Sequence, residues 1–443
     1  MRADLAGWGR YPRHSGDVVT PHSAAALRAV QAGLDPYVAR GAGRAYGDAG
    51  VGLEATVSMR ALDRMRAFDS VNGLLTVEAG VTLEEIINVL LPRGWFAPAV
   101  PGTRFVTVGG MVAADVHGKN HHRTGGFGAH VASLALLTPQ GELLTCSRSE
   151  NSALFHATIG GMGLTGAIVE ATLRMIPVET GWIRQRTVAT KNLDSTLAAL
   201  AKAEAEATYS VAWVDVTPGR RPVGRGVVFS GEHVLAAELP QGRQVFPRGR
   251  RSRVSIPVDL PEGILNRWSV GAFNRLYHGR AALLGNADLV PWDAYFFPLD
   301  AIGDWNRMYG RGGFLQHQCV VPAAAGREVV AEILDRVAAA GCAPFLAVLK
   351  SLGAGVGDMS FPMPGLTLAL DLRVTAQTLR LLDELDRVVV AAGGRLYLAK
   401  DARQSPDTFR AGYLGLTRFE TLRREIGAAG RLASQMSSRL AIQ

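Results

Sequence analysis

His117 and Lys119 stand in the motif HGKNHH, directly after PGTRFVTVGGMVAADV, a small-residue stretch whose backbone can pass close to a ligand. An imidazole and an ammonium are thereby offered to whatever lies there. Metal binding is one alternative, because helical i, i+4 spacing would aim His117 and His121 at one ion with His122 nearby. Gly118 and Asn120 disfavour a helix at this point and Asp115 is the only neighbouring carboxylate, so no metal is expected. Further on, Gln316 and Gln318 alternate in FLQHQCVVP and therefore face one side of a strand. Two amides on one face suit hydrogen bonds to sugar hydroxyls, although same-face glutamines also occur on plain exposed sheets. Lys119 has two readings as well: it binds a substrate phosphate, or it anchors its own loop.

Three glycine clusters lie in the first part of the chain: GAGRAYGDAG (41–50), VGG (108–110) and GGMGLTG (160–166). Each can bring backbone N–H groups to a phosphate, and together they point to an extended anionic cofactor. Gly161, Gly163 and Gly166 have GxGxxG spacing, but a dinucleotide fingerprint must open a helix. Here AIVEATLRMIPV follows, alternating like a strand, so the Rossmann reading is rejected.

The elements that must hold these groups are legible in outline. PYVARG, LLTVEAG and ASLALLTP are short buried strands. TLEEIINVLLPRG is a helix with Thr82 and Glu85 as a capping box, Val81 and Ile86 as a hydrophobic staple, and Pro92 with Gly94 as its stop. From about Trp182 the texture changes: YSVAWVDV (Tyr209 to Val216) alternates as a strand, and GRRPVGRG and FPRGRRSR are basic surface loops. Then come the helix AGREVVAEILDRVAAAG, the strands FLAVLK and TLALDL, and the helix LRLLDELDRVVVAAGG, helices expected to cover one face of a sheet. LYLAK (Leu396 to Lys400) is predicted as a strand returning to the first domain, followed by a helical tail.

With 443 residues, 48% of them apolar, the chain is expected to form about two globular domains. A net charge of +8 is modest over so large a surface, which argues against nucleic acid as a partner. The basic loop PRGRRSR leaves peripheral contact with an anionic lipid surface open, as does a non-catalytic lipid-binding role. Three cysteines without CxxC spacing indicate neither a disulfide framework nor a thiolate metal site. No stretch approaches the roughly 18 apolar residues of a membrane span, and the N-terminus lacks a secretory h-region, so a cytoplasmic protein is expected.

Taken together, ARGAGRAYGDAG, VEAGVTLEEIINVL, PGTRFVTVGGMVAADVHGKNHH and FHATIGGMGLTGAI resemble the FAD-binding domain of the vanillyl-alcohol-oxidase superfamily. FLQHQCVVP, FPMPG and LYLAKDAR extend the likeness toward the decaprenylphosphoryl-β-D-ribose oxidase family. The resemblance implies an α+β fold: a two-part PCMH-type FAD-binding domain (1–180), an antiparallel-sheet substrate or cap domain (181–395), and a C-terminal return (396–443). It implies that Ala39, Arg40, Gly41, Ala42, Gly43, Arg44, Ala45, Tyr46, Gly47, Asp48 and Ala49 hold the FAD pyrophosphate. Gly102, Thr107, Val108, Gly109, Gly110, Ala114, Asp115, Val116, His117, Ile168 and Tyr397 would complete the cofactor contacts. Tyr46 falls where many relatives carry a flavin-linked histidine, which implies noncovalent FAD.

By the same resemblance, His117, Lys119, Gln316, Gln318, Lys350 and Lys400 line the substrate pocket. Thr367, Ala369 and Phe296 stand where well-studied members have asparagine, cysteine and tyrosine, departures that bear on the substrate. The implied activity is oxidation of a sugar hydroxyl, the 2′-hydroxyl of a polyprenylphosphoryl ribose, to a ketone that a separate short-chain reductase consumes. A related enzyme acting on an aminoglycoside or nucleoside-antibiotic precursor is the alternative. Such chemistry needs a base for the O–H proton and stabilisation of the reduced flavin. Lys400 can serve either end, and His117 is the second candidate base.

Overall fold

In a computed structural model, residues 2–219, 223–250, 254–261, 263–284 and 288–443 are described; positions 220–222 and 251–253, in the two basic loops, lie outside them. The N-terminal region forms two large sheets and a two-stranded one, Trp95–Phe96 with Ile176–Pro177. A four-stranded sheet has the order Arg2–Ala6, Arg13–Val19, Ala55–Ser58, Tyr37–Arg40, antiparallel at its first pairing and parallel in the other two. Beside it, a five-stranded antiparallel sheet runs Met65–Asp69, Leu74–Glu78, Ala167–Arg174, Val131–Leu137, Leu143–Ser147. The strand Ala167–Arg174 follows GGMGLTG directly, so that cluster is a turn into a sheet.

The helix Leu83–Leu90 starts at Thr82, whose hydroxyl accepts from Glu85 N–H while the Glu85 carboxylate accepts from Thr82 N–H at 2.7 Å. Val81 and Ile86 are both buried in the core under this helix, and the chain leaves it through Gly94 at φ +80°. An unanticipated short helix, Val108–Ala113, is capped by Thr107 and occupies the second glycine cluster.

A further sheet is eight-stranded and antiparallel, in the order Asp288–Pro291, Trp182–Ala189, Gly226–His233, Tyr209–Val214, Ala347–Leu352, Gly365–Arg373, Phe314–Pro322, Arg395–Leu396. Strand parity gives its central strands two faces. Leu315, Cys319, Val321, Leu368, Leu370 and Leu372 pack with residues of the helices Leu193–Glu206, Ala323–Ala339 and Ala376–Ala391. The opposite parity carries Gln316, Gln318, Val348, Lys350, Thr367, Ala369 and Asp371. The fold is α+β, with sheets and helices segregated by face.

Two strand assignments are corrected. The Tyr209 strand ends at Val214, because the Asp215 carboxylate accepts from Thr217 N–H and closes a turn. Of LYLAK only Leu396 joins the sheet, in the strand Arg395–Leu396: the N–H groups of Lys400 and Asp401 both donate to the Tyr397 carbonyl, so an apolar run that reads as a strand is wound into a turn. That turn meets the N-terminal region where Ala399 O accepts from Tyr46 N–H at 2.8 Å. The tail then packs along the first sheet, with Tyr37 bridging Leu432 and Arg439 reaching Asp48.

Candidate active site

The loop after Tyr37–Arg40 is held open at its base. The Arg40 guanidinium donates to Gly50 O at 3.0 Å and to Ala6 O at 2.7 Å, closing the loop ends around one cation. Gly43 sits at φ +66°, a conformation that L side chains rarely adopt. A Cβ on Gly47 would lie 1.9 Å from Asp401 O, and one on Gly41 2.0 Å from Thr107 Oγ1, so the loop presses directly on the 397–401 turn and on the cap of the Val108 helix. Among the described residues, the N–H groups of Gly43, Arg44 and Ala45 have no hydrogen-bond acceptor. Successive unused donors on a tight loop form an anion cradle.

His117 stands on the cavity wall between Tyr397 and Phe361, with ring centroids 5.1 and 5.5 Å away. Tyr397 is fixed in turn by its hydroxyl, which donates to Ala114 O at 2.9 Å. Gln318 Nε2 donates to His117 Nε2 at 2.8 Å and to Thr367 Oγ1 at 3.2 Å. With Nε2 accepting, the imidazole proton sits on Nδ1, which is buried and has no partner among the described residues. Burial, then the Lys350 charge, holds the ring far below the usual histidine range, so it is neutral.

Lys400 projects from the turn with Nζ 3.4 Å from the Tyr46 ring centroid, a cation–π contact. Gln316, two residues from Gln318 on the same face, donates to Asp371 Oδ1 across the strand pair, while Asp371 Oδ2 has no hydrogen-bond partner among the described residues. Burial pushes Asp371 up and Lys400 down, and each partner's charge opposes the other's shift. Lys350, also desolvated, is pushed down to about 8. Three cations would crowd this wall if His117, Lys350 and Lys400 were all protonated, and desolvation relieves that by favouring neutral forms.

One cavity is lined by most of the anticipated residues. Its wall includes Ala39 to Gly47, Ala49, Gly102, Thr107, Gly110, Ala114, Val116, His117, Gln316, Gln318, Lys350, Thr367, Ala369, Tyr397 and Lys400. Gly102 is open there, since a Cβ would meet nothing within 4 Å. Seven anticipated residues stand elsewhere. Asp48 pairs with Arg439. Val108 and Gly109 spend their N–H groups on Val81 O and Ala79 O. Asp115 accepts from Gly128 N–H and Ser360 Oγ, and Ile168 is core.

The Lys119 side chain reaches Tyr295: Nζ donates to Tyr295 O and lies 4.3 Å from the Tyr295 ring centroid, with burial pushing it down to about 7. Phe296 packs against Phe96, Tyr209 and His233 in an aromatic core, away from the cavity. Residues not anticipated also line the wall, among them Trp8, Met162, Leu299, Asp300, Trp305 and Val348. Asp371 was detectable in principle: within TLALDL it shares parity with Thr367 and Ala369, a carboxylate on the polar face of a strand whose other face is leucine. Among the described residues, no group of three histidine, cysteine or acidic side chains is arranged to hold a metal ion, and no helix is long and apolar enough to cross a membrane.

Residues 17–147 match the model of the FAD binding domain, and the chain is an FAD-dependent oxidoreductase. The residues present fit that cofactor, through the unused N–H donors of the Gly43 loop, the open face of Gly102 and the unpartnered Nδ1 of His117. Decaprenylphosphoryl-β-D-ribose oxidase of Mycolicibacterium smegmatis is 37% identical over 447 residues, covering 98% of this chain and 97% of that protein. An uncharacterised protein from the mprA 5′ region of Streptomyces coelicolor is 36% identical over 82% of this chain and all of its own length. A D-arabinono-1,4-lactone oxidase of Yarrowia lipolytica is 35% identical over 24% of this chain and 20% of its own. The chain belongs to the decaprenylphosphoryl-β-D-ribose oxidase family.

Proposed function

We propose that the chain binds FAD noncovalently and oxidises a secondary hydroxyl of a sugar, foremost the 2′-hydroxyl of a polyprenylphosphoryl ribose, to a ketone. The observation that carries this reading is the polar wall of Gln316, Gln318, Lys350 and Lys400 facing the glycine-rich loop across one cavity. The full-length similarity to an oxidase of that substrate supports it. FAD, when bound, supplies the two-electron acceptor for the C–H hydride.

The protein's own residues do the rest. The loop Ala39 to Ala49 gives backbone donors to the pyrophosphate, and Tyr46 replaces a linking histidine with a phenol engaged by Lys400 and Phe314. Gln316 and Gln318 orient sugar hydroxyls. Lys400, driven toward its neutral amine by burial, takes the hydroxyl proton as the C–H bond breaks. His117 does not compete, because its Nε2 is occupied by Gln318 and its Nδ1 holds the proton. A separate short-chain reductase consumes the ketone. Thr367 and Ala369, both on the cavity wall, favour a second reading in which a different sugar, such as an aminoglycoside or nucleoside-type precursor, is the substrate.

Anaerobic bleaching of the flavin by polyprenylphosphoryl ribose, set against a panel of free sugars and aminoglycosides, tests the assignment. Fast bleaching by the lipid-linked sugar alone supports it, and bleaching by another member alone transfers the assignment to that sugar. The purified protein is expected to be yellow and to release all its flavin on acid precipitation; flavin retained on the polypeptide overturns the noncovalent reading.

A further inference from the structure

The helix Arg267–Leu284 leaves a stripe of large apolar side chains exposed. Its inward side is mixed: Val270 is buried and Tyr277 packs on Trp213 with ring centroids 5.0 Å apart, while Asn274 Nδ2 donates to Asp215 Oδ1 at 2.8 Å, His278 Nε2 meets Thr190 O at 2.9 Å, and Gly271 lies against Thr217. Its opposite side is apolar. Trp268, Leu276 and Leu283, spaced eight and seven residues apart, share one helical face and are 70%, 75% and 87% exposed. More than half of the large apolar side chains exposed among the described residues lie between 254 and 283, whereas Val71 and Leu414 are isolated elsewhere. Contiguous exposure of this kind marks an interaction surface.

Charge identifies the occupant. RWSVGAFNRLYHGRAALL holds three arginines and no acidic residue. At 100° per residue, Arg275 and Arg280 border the Trp268–Leu276–Leu283 stripe on its two sides, and neither meets a carboxylate among the described residues. An apolar stripe edged by unpaired cations is the pattern of a helix lying in a lipid headgroup layer. A second copy of the chain fits poorly, because a twofold contact through this stripe sets like charges against each other.

We propose that this face docks the protein on an anionic lipid surface, with Trp268, Leu276 and Leu283 in the acyl boundary and Arg275 and Arg280 at the headgroups. The stripe-bearing helix also comes within one residue of the cavity wall: Phe273 packs on Phe345 with ring centroids 5.2 Å apart, and the next residue, Leu346, lines the cavity. A bilayer seat therefore sets the cavity beside lipid-borne substrate, a consequence that rests on the proposed function; the docking itself does not.

Full-length protein is sedimented with phosphatidylcholine vesicles that contain or lack phosphatidylglycerol. Wild type is expected to pellet with the anionic vesicles, less with the neutral ones, and to be released by added salt. W268S/L276S/L283S is expected to bind both about ten-fold more weakly. R275Q/R280Q, which alters no apolar contact, is expected to lose about ten-fold on anionic vesicles alone. Both variants keep their flavin absorbance and thermal midpoint. Wild type left in the supernatant with both vesicles, or both variants pelleting like wild type, overturns the proposal. So does a wild-type dimer that the triple variant makes monomeric without any vesicle binding, which assigns the face to a second copy. Bleaching by detergent-dispersed polyprenylphosphoryl ribose with no vesicle binding would leave the proposed function standing and remove only the docking.

Discussion

Lys400 has the environment a buried base needs: an aromatic ring against its amine, a carboxylate across the strand and a second lysine on the same wall. Its charge is therefore adjustable by its neighbours. Lys400→Ala is expected to slow anaerobic flavin reduction by about 10²- to 10⁴-fold while FAD stays bound, measured by stopped-flow absorbance. Because burial lowers the Lys400 pKa, the active neutral form gains population as pH rises, so the reduction rate should climb across neutrality and level off above it. Asp371 raises the Lys400 pKa, so Asp371→Asn should move that limb toward acid by about one pH unit. A limb that stays in place in the variant would separate Asp371 from the proton-accepting group.

At the scale of elements, one short segment decides the site and a second contributes to the fold that holds it. The 397–401 turn carries Lys400 toward the glycine loop, and the close approach of Gly47 to Asp401 O is what lets them meet. Gly47→Ala is expected to push the two apart and leave the purified protein depleted of FAD, read as the ratio of flavin to protein absorbance. The second segment is the Thr82 capping box, which does not line the cavity but bridges Thr107, the cap of the Val108 helix. Thr82→Ala should cost about 1 kcal/mol of stability with unchanged flavin reduction. Elements of this kind were readable: the capping box, the staple and the strand after GGMGLTG follow from local spacing. LYLAK was not, because its apolar run is equally satisfied by a turn whose carbonyls are used by another part of the chain.

Across the whole molecule, the chain closes on itself. Arg439, four residues before Gln443, pairs with Asp48 at 2.8 Å and with Asp401 at 2.9 Å, joining the cofactor loop, the lysine turn and the tail. Both carboxylates are buried, and Arg439 holds Asp401 below the usual carboxylate range against its desolvation. Removing the cation strands two buried charges, so Arg439→Gln should lose about 3 kcal/mol or more of stability and weaken FAD retention, checked by thermal melts with and without added FAD.

The amino-acid sequence by itself determined what local spacing and composition control. It set the turns at Gly43 and Gly163, the amide pair on one face of Phe314–Pro322 and the residues able to carry a proton. Tertiary structure alone decided which of these groups meet. Lys119, in the same motif as His117, turned to the Tyr295 carbonyl and an aromatic wall, and Phe296 went into the core behind it. Asp371 was brought to Gln316 by a cross-strand register that no local pattern encodes. The physical reason is one of range: hydrogen-bonded turns and side-chain parity act within a few residues. Desolvation and charge pairing, which set the state of Lys400, depend on groups that only the folded chain assembles: Asp371 and Lys350 from neighbouring strands, and the Tyr46 ring from the N-terminal loop.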